Sequence, residues 1–184
     1  MWLLPSKHAD AKLKKTARLL ASLLPGASFF PRGERSLERF QELAEREAEE
    51  TILVLSQGAS GPSSPRAGPA PSFILRSRHF SGAWSWDEDE LVISHLEAGE
   101  KIPPSSADSD EPYLLKAQSP AAKFLSSFLG LRPHPLASYY DDLPAFELEA
   151  KEKKGGPAAA RLLFEGEPVL SFHYVRGCLC EKKE

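Results

Sequence analysis

The stretch WLLPSKHADAKLKKTARLLASLLPGASFFPRGERSLERFQELAEREAEETILVLS, residues 2–56, decides the fold. It opens with Trp2 to Pro5, a short apolar run that reads as a strand. Residues 9–24 then place Leu13, Ala17, Leu20 and Leu24 at steps of four, three and four, the apolar stripe of a helix. Lys7, Lys14 and Arg18 fall on the other face, and the start of this helix after Ser6 would offer open backbone donors to an oxyanion. Pro25-Gly26 stops the helix, and Ser28-Phe29-Phe30 can form a second short strand. Beyond the turn Arg32-Gly33-Glu34-Arg35, Ser36 is a good N-cap for a helix with Leu37, Phe40, Leu43 and Ala44 inward. Thr51 to Ser56 is a continuous apolar run, which predicts a strand covered on both faces. Strand and helix alternate, so the sheet must be at least partly parallel.

Working outward, Gln57 to Ser72 reads as a long mobile loop rich in Gly and Pro. Phe73 to Arg78 and Glu90 to His95 read as strands flanking a turn that contains Trp84, Trp86 and the acids Asp87 to Glu90. Ile102 to Pro112 and Pro133 to Leu143 read as loops. Between them come a short strand at Tyr113 to Ala117, an N-cap and first-turn proline at Ser119-Pro120, and a helix lined by Phe124, Leu125, Phe128 and Leu129 that ends at Gly130. Phe146 to Lys151, Ala159 to Phe164 and Val169 to Val175 are strands joined as hairpins at Gly155-Gly156 and Gly166-Glu167. The expected fold is α/β with a mixed sheet, in two structurally similar halves at about residues 1–100 and 112–177 of one domain spanning 1–184.

Composition narrows the function. The 184 residues fit one domain of ordinary globular make-up, 41% hydrophobic and 27% charged. Cys178 and Cys180 are too close together to clamp distant segments, which argues against a disulfide scaffold and for a reducing, cytoplasmic setting. No apolar run reaches the length of a membrane span, and charge arrives at Lys7, too early for a secretory leader. The absence of Asn, with three Gln and one Met, points to a thermophilic source. The net charge of -3 hides an asymmetry: residues 1–40 carry eight basic side chains against three acidic ones, so a basic end sits on an acidic body.

The motifs add a resemblance. Leu24-Pro25-Gly26-Ala27 after a basic helix, then Arg32-Gly33-Glu34-Arg35-Ser36-Leu37 opening a second helix, then an apolar strand, resembles the Brix-domain family of ribosome-biogenesis factors in its short archaeal form. The later helix ending at Leu129-Gly130-Leu131 and the terminal hairpins through Gly166-Glu167-Pro168-Val169 agree in order. The family pattern Thr-Ser-Arg after the first strand is replaced here by Pro5-Ser6-Lys7, and its Gly-Asn-Pro by a Gly-Pro-Ser loop. The resemblance implies two halves similar to the anticodon-binding domain of class IIa aminoacyl-tRNA synthetases, and a non-enzymatic role in ribosomal RNA processing and subunit assembly.

On that reading Lys7, Lys12, Lys14, Lys15, Arg18, Arg32 and Arg35 are the candidate RNA-binding residues, because Lys and Arg supply the sequence-independent part of nucleic-acid affinity. The alternative for these residues is a solvated helix face, with Gly33 needed only for a positive φ and Arg32 pairing an acid of the second helix. A second alternative is an adaptor that turns its acidic surface to basic ribosomal proteins or other assembly factors. Asp87 to Glu90 reads as a solvated turn; Trp84 and Trp86 read as one core and one exposed residue, with base stacking as the functional alternative. Cys178, Cys180 and His173 lack the ligand number and spacing of a structural zinc site. His8, His79, His95, His134 and His173 neighbour no nucleophile motif, and no glycine loop has a phosphate-binding spacing. No catalytic residue, metal, cofactor or membrane is therefore expected, and the oligomeric state stays open.

Overall fold

The structure, a computed structural model, describes residues 1–58, 72–100, 114–131, 145–151 and 156–178. The loops expected within 57–72, 102–112 and 133–143, the turn at Gly155, His134 and the side chains of Cys178 and Cys180 lie largely or wholly outside the described residues. In chain order the elements are β1 (Trp2–Pro5), α1 (Ala11–Leu23), β2 (Ser28–Phe29), α2 (Leu37–Arg46), β3 (Thr51–Gln57), β4 (Phe73–Phe80), β5 (Trp84–Ala98), β6 (Leu114–Lys116), α3 (Pro120–Phe128), β7 (Ala145–Lys151), β8 (Ala158–Phe164) and β9 (Glu167–Cys178).

The nine strands among the described residues join one mixed sheet in the order β2-β1-β3-β4-β5-β9-β8-β7-β6. β1 runs parallel to β2 and β3, and β3, β4 and β5 follow as antiparallel neighbours. β6 runs parallel to β7, with β7, β8 and β9 antiparallel in turn. The same unit, a parallel crossover through a helix followed by two antiparallel strands, therefore occurs twice. Antiparallel pairing of β5 with β9 joins the two units at the centre of the sheet. The first unit differs by inserting β2 and α2 into its crossover.

Alternation along β1 and β3 explains the layering. Leu3, Leu53 and Leu55 join the main core with Leu13, Ala17 and Leu20 of α1 and with Leu125 and Phe128 of α3. Trp2, Leu4, Ile52 and Val54 point to the opposite face, where Leu37, Phe40 and Ala44 of α2 cover them. Strands with apolar residues on both faces must be covered twice, as the continuous run at Thr51 to Ser56 predicted. Burying a side chain such as Phe40 contributes about 2 kcal/mol. Among the described residues, the second cluster includes none of β6 to β9.

Each helix starts at a side-chain cap. Ser36 accepts from the Arg39 N–H, and Ser119, followed by Pro120, accepts from the Ala122 N–H. Helix α3 closes through Leu131 N–H donating to Ser126 O at 2.8 Å and Gly130 N–H to Ser127 O at 3.0 Å, with Gly130 at φ +68°.

One expectation needs correcting. Trp84 to Asp89 is not part of a turn but the first half of the long strand β5, and the turn is confined to Ser81, Gly82 and Ala83. The acids are accommodated because neighbouring strands supply partners: Arg76 pairs with Glu90 at 3.0 Å, Arg176 pairs with Asp89 at 2.6 Å, and the His79 ring lies 3.7 Å from Asp87.

Candidate nucleic-acid interface

Because β1, β2 and β3 are parallel, α1 and α2 must both begin at the carboxyl end of the strands they follow. The segments that enter the two helices, 6–15 and 30–36, therefore meet at one end of the sheet. Lys7 Nζ lies 3.6 Å from Glu34 Oε2 and ties them together. The carboxyl ends of parallel strands are where open α/β sheets present ligand sites.

On α1 the buried stripe of Leu13, Ala17 and Leu20 fixes the opposite face outward, and Lys12, Lys14, Lys15 and Arg18 are exposed on it. Lys14 and Arg18 are one turn apart and so project side by side. The Arg18 guanidinium sits 5.1 Å above the Phe29 ring of β2, which holds it against the sheet edge. Among the described residues, none of Lys12, Lys14, Lys15, Arg18 or Arg35 takes part in an ion pair.

Two of the candidate residues have internal work. Arg32 Nε donates to Arg35 O at 3.2 Å across the turn whose Arg35 N–H donates to Arg32 O at 3.2 Å. Gly33 adopts φ +55° in that turn, with open space where a Cβ would point. Glu38, in the first turn of α2, is held below the usual carboxylate range by a backbone N–H and the Ser36 hydroxyl, with Arg32 and Arg78 adding their positive charge. Arg32 thus serves the turn and adds only its field at Glu38; the ion pair with an acid of the second helix that the alternative reading expected is absent among the described residues.

The open helix start after Ser6 is a second correction. Ser6 N–H still belongs to the sheet, donating to Leu55 O at 2.7 Å, and α1 begins only at Ala11. Asp10 is its N-cap, with Oδ1 accepting from Leu13 N–H at 2.7 Å. The capping carboxylate takes the place an oxyanion would use, so anion contact on α1 rests on side chains alone.

The sheet also brings together groups that no sequence motif marked. His79 on β4 has its Nδ1 3.3 Å from Thr51 Oγ1, and its Nε2 2.8 Å from Ser77 Oγ. Thr51 and His79 border a cleft of about 450 Å³ whose other wall is formed by Lys123 and Ser127 on α3. Ser77 and Asp87 both face the same ring nitrogen, and Ser77 is fully buried, so these three do not form the serine–histidine–carboxylate order of a nucleophilic relay. His95 and His173 have ring centroids 5.1 Å apart on β5 and β9. Among the described residues no group of three or more His, Cys, Asp or Glu is placed to hold a metal ion. No described helix is long and apolar enough to cross a membrane.

No family model matches the sequence, and no curated protein matches it. Among solved structures, the crystal structure of a probable ribosomal biogenesis protein from Aeropyrum pernix K1 is similar with a TM-score of 0.69. The match covers 98% of this chain and 96% of that chain at 16% sequence identity. At that identity the likeness is one of fold, and it extends over both units of the sheet.

Proposed function

We propose that this protein is a non-catalytic, cytoplasmic ribosome-biogenesis factor of the Brix kind, a single domain of two related halves that engages ribosomal RNA. The fold it shares with a probable ribosomal biogenesis protein supports the role. The motif resemblance around Arg32 to Leu37 supports the family. The observation that carries RNA as the partner is the row of exposed cations without ion-pair partners among the described residues: Lys12, Lys14, Lys15 and Arg18 on α1, with Arg35 at the neighbouring turn. Lys7, shared with Glu34, and Arg32, engaged in its turn, complete the candidate set in supporting positions. Such a surface reads the phosphate backbone and fixes the position of the RNA rather than its sequence.

The test is a salt series. Binding of a single-stranded ribosomal RNA fragment, followed by fluorescence anisotropy, should weaken with a log–log slope of about 0.7 per phosphate contact, hence about 3.5 for five engaged side chains. Absent or salt-independent binding would refute the reading.

A further inference from the structure

Trp86 is one of two large hydrophobic side chains exposed among the described residues, at 40% of its surface. Its position is built rather than incidental. The Arg78 guanidinium lies 4.8 Å from the centroid of its ring and donates to Trp84 O at 3.2 Å. With its amide oriented to satisfy both groups, Gln41 of α2 accepts from the same guanidinium at 2.6 Å. One turn further along α2, Glu45 accepts from Trp84 Nε1 at 2.8 Å. Trp86 is thus a fixed ring at the seam between α2 and β5, with one face already receiving a guanidinium.

Apart from Arg78 on the ring itself, the chain on this side of the sheet is mostly acidic, in contrast to α1. Residues 38–50 hold six glutamates against two arginines, and Glu45 is exposed beside Trp84. Glu88, two residues beyond Trp86 in the bulged stretch of β5, is exposed and joins no ion pair among the described residues. Phosphate would be repelled here. A cation would gain the ring quadrupole and the carboxylates together.

We propose that Trp86, with Glu45 and Glu88 at its rim, docks an arginine-rich segment of a partner protein, a guanidinium stacking on the ring face that Arg78 leaves free. Trp and Arg are the residue types that dominate binding energy at protein interfaces. This surface lies on the α2 side of the sheet, whereas α1, which carries four of the five side chains of the RNA reading, packs on the other side; the proposal does not rest on that reading.

The experiment titrates the full chain with an octa-arginine peptide, with octaglutamate and octauridylate as comparison probes. The Trp86 signal is taken as the difference in emission between wild type and Trp86→Phe, since Trp2 is buried and Trp84 half-buried. Octa-arginine should perturb that signal, and Trp86→Ala should weaken its binding about 2- to 30-fold. Trp86→Phe should retain more of the affinity than Trp86→Ala, and Glu88→Gln should reduce the salt dependence. Octa-arginine binding that is equally strong in Trp86→Ala would overturn the proposal in favour of diffuse attraction to the acidic body. No binding of octa-arginine would overturn it outright. A Trp86 response to octauridylate alone would replace it with a base-stacking platform. The RNA reading is decided separately, at α1, and none of these results changes it.

Discussion

Replacing Gly130 and Gly33 with alanine, one at a time, separates two costs that are usually confounded. Both glycines have left-handed backbones, with φ +68° and +55°. For alanine that conformation costs roughly 1–2 kcal/mol. At Gly33 nothing lies within 4 Å of the added Cβ, so the backbone penalty is the whole effect. At Gly130 the Cβ would sit 2.5 Å from Thr51 Oγ1 and 2.7 Å from Thr51 Cβ, where α3 of the second unit abuts β3 of the first. Thr51 is buried on the sheet, so relief requires α3 or β3 to move, an overpacking cost of about 1–3 kcal/mol. Gly130→Ala should therefore lose about 2–5 kcal/mol and Gly33→Ala about 1–2. In urea denaturation at 25 °C with a slope of about 2 kcal/mol/M, these become midpoint losses of about 1–2.5 M and 0.5–1 M. Equal losses at the two sites, or a neutral Gly130→Ala, would refute the argument that the two units meet rigidly at this glycine.

Two further outcomes follow from the caps. Asp10→Ala should cost about 1 kcal/mol through loss of the α1 cap, whereas Asp10→Ser should keep stability and tighten RNA binding by removing an acid from the basic surface; a thermal melt and an anisotropy titration on each variant check this, and weaker binding by Asp10→Ser would contradict it. The Glu38 carboxyl should titrate below the ordinary glutamate value of about 4.3. A depressed folded-state pKa favours the fold above that ordinary value, and the benefit is lost as pH falls through the lower, folded value. NMR titration of the side-chain carboxyl reads the midpoint directly, and one at or above the ordinary value would contradict the assignment.

Much of the fold was legible because local signals agreed. The strand β1, the Ser36 and Ser119-Pro120 caps and the glycine that ends α3 each follow from a few adjacent residues. The start of α1 was misplaced because Ser6 and Asp10 are both capping residues, and only the pairing of Ser6 with Leu55 decides between them. The acids of β5 looked like a turn because their cations, Arg76 and Arg176, come from other strands, Arg176 from 87 positions along the chain. The same long-range pairing of β5 with β9 joins the two units, and local pattern carries no trace of it. Of the candidate site, the exposed cations of α1 could be read from helical periodicity. The fixed setting of Trp86 depends on tertiary neighbours and could not.

The central claim is that the α1 cations bind RNA, and reversing Lys14 and Arg18 to glutamate tests it most directly. Both side chains are exposed and lack ion pairs among the described residues, so the double variant should stay folded, each change shifting stability by about 0.5 kcal/mol or less. Its affinity for a single-stranded ribosomal RNA fragment should fall uniformly across sequences, and its salt slope should shrink by about 1.4 for two lost contacts. A folded Lys14→Glu/Arg18→Glu variant with unchanged affinity and unchanged salt slope would contradict the account.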